Sequence, residues 1–324
     1  MNLLEEKLLK AGSAVILGHV HPDGDCAGSC LALYNYLTEQ YPGLSIDICL
    51  EPVAKKFNYL KNYDKINSAP PAERVYDLCL CLDSGDRERL GVYGVYLDTA
   101  ADSLCVDHHI TNTRYAKDNV VEPSASSTCE VLFGLLDETK ISREVAECIY
   151  TGIIHDTGVF KYSNTSAKSM MVAGKMMEKG IDFSSIIDNS FYRKTYVQNQ
   201  ILGRTLLESV TFLDGRCIFS VVKNKDMEFY GVDHKDLDGI VDQLRITEGV
   251  ECAVFMYETG NHEYKVSLRS NQIVDVSRIA AYFGGGGHVR AAGCTMSGSV
   301  YDVINNLSSH IEKQLKAQDD GSDV

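Results

Sequence analysis

Acidic and histidine residues repeatedly close short apolar runs in the first half of the chain. The run AVILG leads into His19, Asp23 and Asp25, and DLCLCLD ends on Asp83. The run SLCVD ends on Asp107, which His108 and His109 follow, and CIYTGIIHDTG contains Asp156 near its end. Carboxylate oxygens and imidazole nitrogens suit Mn²⁺, Mg²⁺ or Fe²⁺ better than the thiolate-rich sites preferred by Zn²⁺. Because so many acids at one site would repel each other, two divalent cations are expected to bind there. Such a pair can activate water and stabilise a leaving oxygen, which is the chemistry of phosphate-ester hydrolysis.

Each of these residues, taken alone, has a structural explanation. An aspartate after a strand commonly caps the next helix, so Asp25 or Asp83 alone would indicate little. Pro22-Asp23-Gly24 is an ordinary turn pattern, and the pair His108-His109 could lie on the surface or in the core. Four apolar runs that all close on possible ligands are hard to explain by capping, so a functional site is favoured.

The elements that would position these residues follow from the hydropathy pattern. Helical spacing of apolar residues covers 27–40 and 126–138. Apolar runs predict strands at Ala14–Gly18, Ile46–Leu50, Asp77–Asp83 and Leu104–Asp107, with another apolar stretch at Ile149–Ile154, and all of these except Ile46–Leu50 lead into candidate ligands. Strands alternating with helices predict an α/β fold with a doubly wound, parallel sheet. The carboxyl ends of its strands would meet at one edge, where such sheets bind ligands.

The character of the chain changes near residue 201. A helix is predicted over Ile201–Ser209, followed by the hairpin pattern VTFLDGRCIFSVV with its DG turn. Further predictions are strands at Glu251–Glu258 and Glu263–Leu268 and helices over 274–283 and 299–316. We therefore predict a catalytic metal-binding domain over 1–188, a linker over 189–200, a smaller α/β substrate-binding domain over 201–316 and a disordered tail over 317–324.

A glycine-rich segment, FGGGGHVRAAG, lies in the second half. Its glycines would let the backbone approach a ligand closely, although a flexible loop explains them equally well. Two arginines elsewhere in this half could also bind phosphate, while a solvated surface position is the commoner explanation for Arg245. The candidate substrate-binding residues are Gly286, Gly287, His288, Arg290, Arg269 and Arg245.

Composition limits the possible functions. With 324 residues, 44% hydrophobic and 23% charged, the chain is expected to fold as a packed two-domain protein. Its formal net charge of −14 argues against a long nucleic-acid-binding track, so a polyanionic substrate should be short. The chain has neither a CxxC pair, an export signal nor a membrane span, so its 11 cysteines should be reduced and the protein cytoplasmic.

These motifs resemble those of the DHH family of phosphoesterases, in its two-domain DHH–DHHA1 form, in the same order along the chain. The resemblance implies two metal sites, with Mn²⁺ as the usual ion and Mg²⁺, Co²⁺ or Fe²⁺ as alternatives. It assigns one site to His19, Asp23 and Asp83, and the other to Asp25, Asp83, His108 and Asp156. Asp107 would orient His108, His109 would contact the scissile phosphate, and Arg269, His288 and Arg290 would bind the substrate. His21 and His155 match no ligand position.

Within that family the chain resembles the nanoRNase branch. This implies hydrolysis of short oligoribonucleotides and removal of the 3′-phosphate of adenosine 3′,5′-bisphosphate, with no binding to long duplexes or membranes and a homodimer as one possible assembly. The nearest alternative is a phosphodiesterase for cyclic di-AMP or its linear product pApA. A non-catalytic nucleotide-binding protein is less favoured because every expected ligand type is present.

Overall fold

The computed structural model describes residues 2–319. The chain divides into two compact units, Met1–Arg193 and Lys194–Val324. Each unit is built on its own sheet and has its own apolar core.

The first unit is built around a parallel sheet. Its strands are β1 (Ser13–Leu17), β2 (Ser45–Cys49), β3 (Ile66–Asn67), β4 (Leu78–Leu82), β5 (Asp102–Asp107) and β6 (Asp118–Val121). They lie in the order β3-β2-β1-β4-β5-β6, and every neighbouring pair is parallel. The predicted α/β fold with a doubly wound parallel sheet is therefore confirmed for this unit.

Apolar layers cover both faces of this sheet. Along β1, Ala14 and Ile16 face one layer while Val15 and Leu17 face the other, and all four side chains are fully buried. Burial on both faces explains why the central strands read as continuous apolar runs rather than alternating ones. It also explains why the first polar residue after such a run marks the edge of the core.

The first unit contains seven α-helices within the described residues, and one of them includes a stretch that was predicted as a strand. They are α1 (Leu3–Leu8), α2 (Gly24–Gln40), α3 (Gly94–Thr99), α4 (Thr128–Phe133), α5 (Arg143–Asp156), α6 (Ala167–Glu178) and α7 (Phe183–Ile187). The apolar stretch 149–154, predicted as a strand, lies inside α5. This helix is capped by Ser142, whose hydroxyl accepts the Val145 amide, and it packs closely against α2. Because α5 is buried for most of its circumference, its apolar run has no clear helical period.

The second unit contains a mixed sheet. Its strands are β7 (Val210–Phe212), β8 (Cys217–Val222), β9 (Cys252–Gly260), β10 (Glu263–Ser270), β11 (Gly286–His288) and β12 (Ala291–Ser297), in the order β11-β12-β10-β9-β8-β7. Strands β8 and β9 are parallel and the other neighbours are antiparallel. Its helices are α8 (Tyr196–Leu207), α9 (Asn224–Tyr230), α10 (Ile240–Arg245), α11 (Val276–Tyr282) and α12 (Val300–Asp319).

Two segments predicted as irregular contain helical residues. The predicted linker 189–200 contains most of a π-helical turn, Asp188–Tyr192, and the first residues of α8. Helix α8 begins there because Thr195 and Gln198 form a reciprocal capping box. In the predicted tail 317–324, α12 continues to Asp319, and the remainder lies outside the described residues. Among residues 2–319, no helix is both long enough and apolar enough to cross a membrane.

Candidate functional site

The ends of two adjacent strands bring His19 and Asp83 together. His19 follows β1 and Asp83 follows β4, and these parallel neighbours lie where the strand order of the sheet reverses. The Nε2 atom of His19 lies 3.5 Å from Oδ2 of Asp83. Asp83 has a φ of 56°, a left-handed conformation that costs a non-glycine residue about 1 kcal/mol or more. Strain of this kind is typical of functional sites.

The start of α2 contributes two further carboxylates. Asp23 is the N-cap residue, and its Oδ1 accepts the Asp25 and Cys26 amides at 3.1 Å each. The same oxygen lies 3.7 Å from Nε2 of His19, so capping and participation in the site are compatible. Asp25 is fully buried and accepts the amides of Thr128 at 2.6 Å and Cys129 at 3.0 Å. Its carboxylate does not cap its own helix.

The residues after β5 are arranged differently from the expectation. Oδ1 of the buried Asp107 lies 2.7 Å from Nδ1 of His109, so Asp107 orients His109 and the expected contact with His108 is wrong. Nδ1 of His108 lies instead 3.4 Å from the carbonyl oxygen of Ala125. The adjacent histidines therefore have separate supports, and each has its Nε2 left for another contact.

Asp156 enters the site from the end of α5, not from the end of a strand. Its Oδ2 lies 3.1 Å from Nε2 of His108. The structure thus corrects the element that carries Asp156 and brings the residue to the same cluster. Of the two histidines that match no ligand position, His21 is exposed, whereas Nε2 of His155 lies 3.1 Å from the Ser190 hydroxyl.

Three overlapping groups of donor atoms result, and Asp83 belongs to two of them. Each group has its atoms within 4.8 Å of one another: His19, Cys26 and Asp83; Asp83, His108 and His109; and Asp25, His108 and Asp156. Oδ1 of Asp83 lies 3.7 Å from Nε2 of His108, while its Oδ2 faces His19. The two oxygens of one carboxylate therefore face two separate groups.

Cys26 is a neighbour that the sequence analysis did not include. Burial first, and then its contact with Cys30, raise the pKa of the Cys26 thiol well above the usual range. A thiol that keeps its proton is a poor ligand compared with carboxylate or neutral imidazole. The oxygen and nitrogen donors thus remain the main candidates for metal binding.

The carboxylates of the cluster strongly raise the pKa of two of its histidines. Burial alone would lower the pKa of His19, but Asp23 and Asp83 raise it to about 12. His108 behaves in the same way: burial opposes its charge, yet Asp156, Asp25 and Asp83 raise its pKa to about 10. Burial and the charges of Asp83 and Asp156 raise the pKa of Asp25 well above its usual range. The cluster therefore attracts positive charge strongly.

This donor set fits divalent cations. Three aspartates of the cluster, at positions 25, 83 and 107, are almost completely buried. Within residues 2–319 the ionic partners of Asp83 and Asp107 are histidines and not lysine or arginine, and Asp25 lies close to His108. Buried acids without permanent cationic partners are costly unless protons or metal ions neutralise them.

The glycine-rich segment of the second unit forms an edge strand. Strand β11 pairs with β12, and His288 on it is exposed. A Cβ at Gly287, where φ is 146°, would lie 2.5 Å from the Ala291 carbonyl oxygen, and one at Gly285 would lie 2.1 Å from that of Gly293. Close strand pairing thus explains these two glycines, while Gly286 faces open space.

Two of the three candidate arginines share one acidic neighbour. Nε of Arg269 lies 3.3 Å from Oδ1 of Asp242, and Nε of Arg245 lies 3.7 Å from the same oxygen. Arg245 also donates to Oδ1 of Asn271 at 2.7 Å. The structure therefore places Arg245, the last residue of α10, next to Arg269 of strand β10.

Arg290 contacts the protein's own backbone. Its guanidinium donates to the carbonyl oxygens of Gln272 and Val274. The buried carboxylate of Glu251 stabilises the same loop by accepting hydrogen bonds from the backbone amides of residues 272, 273 and 274. Arg290 thus stabilises a loop, a role that the glycine motif alone did not indicate.

Comparison with known proteins identifies the family. Residues 13–153 match the DHH family, N-terminal domain, and residues 214–317 match the DHHA1 domain. A "bifunctional oligoribonuclease and PAP phosphatase NrnA" from Thermus thermophilus is 32% identical over 307 residues, covering 92% of this chain and 89% of that protein. This chain belongs to the DHH family.

Two further proteins are similar to this chain over most of its length. The protein of the same name from Bacillus subtilis is 26% identical over 303 residues, covering 92% of this chain and 93% of its own. The crystal structure of an exopolyphosphatase-related protein from Bacteroides fragilis superposes with a TM-score of 0.86 at 24% identity, covering 96% of this chain and 94% of that one. The latter shows the shared fold.

Several polar residues of this DHH-family site escaped the sequence analysis. The Asn112 amide donates to Oδ2 of Asp107 at 2.6 Å. The Asn164 amide bridges the carbonyl oxygens of Ser126 and Asp156, at 3.0 and 3.1 Å. Asn112 lies only three residues after the DHH motif, so its position was a usable signal. Asn164 lies in an irregular segment, where its sequence context carries no such signal.

Arg290 provides a test of the loop contacts. We expect Arg290→Ala to lower the free energy of unfolding by about 1–2 kcal/mol, because two carbonyl oxygens lose a charged donor. Arg278→Ala is the matched control, since Arg278 is exposed and its partner, Asp275, lies one helical turn away. Thermal and urea unfolding would measure both variants. Unchanged stability with a sharply raised KM would show that Arg290 serves the substrate instead.

Proposed function

We propose that this chain is a dinuclear-metal phosphoesterase that hydrolyses short oligoribonucleotides to mononucleotides and removes the 3′-phosphate of adenosine 3′,5′-bisphosphate. The observation that carries the proposal is the position of Asp83, whose two carboxylate oxygens face two different groups of ligand atoms. The names of the two bacterial relatives, which match 92% of this chain, support the substrate class.

Each metal ion would be held by residues from several elements. His19, Asp23 and Asp83 would hold one ion, and Asp25, Asp83, His108 and Asp156 the other. We propose Mn²⁺ as the ion because the donors are carboxylates and imidazoles. When bound, two such ions supply a nucleophile near neutral pH and stabilise charge on the phosphoryl and leaving oxygens.

The protein's own residues orient the phosphate. Nδ1 of His109 donates to Asp107, which raises the pKa of His109, so the imidazolium can also donate from Nε2 to a phosphoryl oxygen. In the second unit we propose that Arg269, Arg245, His288 and the backbone of Gly286 and Gly287 bind the substrate. Substrate phosphate would compete with Asp242 for the two arginines. The net charge of −14 supports a short substrate, because binding a long nucleic acid would require an extended basic surface.

The cysteines support a reducing compartment. Within residues 2–319 all 11 cysteines are buried and unpaired. Free buried thiols are typical of proteins that function in the cytoplasm, which is the location we propose.

Product analysis tests the proposed substrates. With Mn²⁺ supplied, the protein would be offered a 5′-phosphorylated RNA trimer, a long RNA, adenosine 3′,5′-bisphosphate, pApA and cyclic di-AMP. We expect rapid turnover of the trimer and the bisphosphate, slow turnover of the long RNA and none of cyclic di-AMP. Efficient ring opening of cyclic di-AMP would instead indicate a cyclic-dinucleotide phosphodiesterase. Nucleotide binding without any turnover would contradict the enzymatic proposal altogether.

A further inference from the structure

The first residue of α4 contacts three of the buried carboxylates of the site. The Thr128 amide donates to Oδ2 of Asp25 at 2.6 Å. Its hydroxyl lies 2.9 Å from Oδ1 of Asp83 and 3.5 Å from Oδ1 of Asp107. Thr128 itself is fully buried. One side chain and its own amide thus contact three separate acids at once.

The hydroxyl of Thr128 has a defined direction of donation. Ionised carboxylates only accept hydrogen bonds, and a hydroxyl has a single hydrogen to donate. The shorter distance directs that hydrogen to Oδ1 of Asp83. Among the described residues, this is the shortest hydrogen bond to the Asp83 side chain, whose histidine neighbours lie at 3.5 Å or more. The rotation of the Asp83 carboxylate therefore depends on Thr128.

Buried hydrogen bonds of the neighbouring residues fix the backbone position of Thr128. The Ser127 hydroxyl caps α4 by accepting the Glu130 amide at 3.1 Å. The buried carboxylate of Glu130 accepts the amide and hydroxyl of Ser126 and the hydroxyl of Ser169. The segment that carries Thr128 is thus anchored to α6, independently of the acids it contacts. Such an anchored donor can fix the orientation of a ligand.

We propose that Thr128 is a positioning residue for the metal-binding carboxylates, which holds Asp83 through its hydroxyl and Asp25 through its amide. This inference rests on the proposed function, because it assumes that these carboxylates bind the metal ions. The hydroxyl keeps one oxygen of Asp83 directed toward His108 and thereby leaves the other directed toward His19. Loss of the hydroxyl should therefore weaken metal binding, while the substrate contacts remain unchanged.

The test compares Thr128→Val, which replaces the hydroxyl by a methyl group, with Thr128→Ser, which keeps it. Titration calorimetry and the electron paramagnetic resonance of free Mn²⁺ would measure the affinity for Mn²⁺ in the absence of substrate. We expect Thr128→Val to bind Mn²⁺ about tenfold more weakly, and Thr128→Ser to bind close to wild type. At saturating Mn²⁺, the KM for the RNA trimer should not change in either variant.

A buried threonine elsewhere provides the matched control. The Thr205 hydroxyl donates to the Ile201 carbonyl oxygen of its own helix, so Thr205→Val should leave Mn²⁺ affinity unchanged. Should Thr128→Val fail to fold by circular dichroism, Thr128→Ala makes the same comparison without the added methyl group. Wild-type Mn²⁺ affinity in a folded variant that lacks the hydroxyl overturns the inference alone. A wild-type protein that binds no Mn²⁺ overturns it together with the proposed function.

Discussion

Replacing Asp83 by asparagine is expected to lower the turnover of short RNA by about a thousandfold, which equals about 4 kcal/mol of activation free energy. The side chain keeps its shape and its hydrogen bond with Thr128 but loses the charge that both groups of donors share. Metal analysis should show that the variant retains fewer than two Mn²⁺ ions. Steady-state kinetics at increasing Mn²⁺ would measure the residual activity.

An aspartate outside the site provides the control for the Asp83 variant. Asp98 pairs with Arg87 at the surface of the same unit, with Nε of Arg87 at 2.9 Å, so Asp98→Asn should retain full turnover and both ions. Melting temperatures of the metal-free proteins would show whether each variant folds. A folded Asp83→Asn variant that binds two ions and turns over normally would disprove the bridging role of Asp83.

The carboxyl ends of the central strands could be predicted from the sequence because burial is so uniform there. Strands β1, β4 and β5 are buried on both faces, so each reads as an unbroken apolar run closed by a polar residue. In a parallel sheet those closing residues must lie at one edge. Convergence of His19, Asp83 and Asp107 follows from that topology, without any knowledge of side-chain contacts.

Asp156 shows where the same reasoning fails. The apolar run before it is buried for most of its circumference because α5 packs against α2, so it has neither a strand period nor a clear helical one. Its length and the Ser142 cap were better signals of a helix than its hydropathy. The residue still reaches the site, because helices that cover a sheet can end near the same edge as its strands.

Contacts between individual side chains could not be predicted from the sequence. Whether Asp107 orients His108 or His109 depends on side-chain rotamers and on small differences in loop geometry. Neither of these leaves a recognisable pattern in the sequence. Arg290 is a similar case, because its backbone partners lie 16 and 18 residues away in the chain. Sequence patterns identified which residue types gather at the sites, and tertiary contacts decide what each one does.

The adjacent histidines His108 and His109 should respond to substitution in different ways. His108→Gln is expected to lose a metal ion and nearly all turnover, since its Nε2 lies among the carboxylates, 3.1 Å from Asp156. His109→Gln should keep both ions and lower kcat by about a hundredfold, the usual effect of removing one donor to a developing charge. The reason for this difference is that Nδ1 of His109 is committed to Asp107, which directs its Nε2 away from that carboxylate.

Paired measurements of bound Mn²⁺ and of kcat distinguish these two roles. Asp107→Asn is the informative companion variant, since it weakens the support of His109 and leaves His108 with its own contact to the Ala125 carbonyl oxygen. It should therefore resemble His109→Gln, with both ions bound and a lowered kcat. His109 also lies close enough to Asp83 and His108 to share an ion with them. Loss of a metal ion in His109→Gln would accordingly reassign His109 as a ligand and leave the phosphate without its proposed donor.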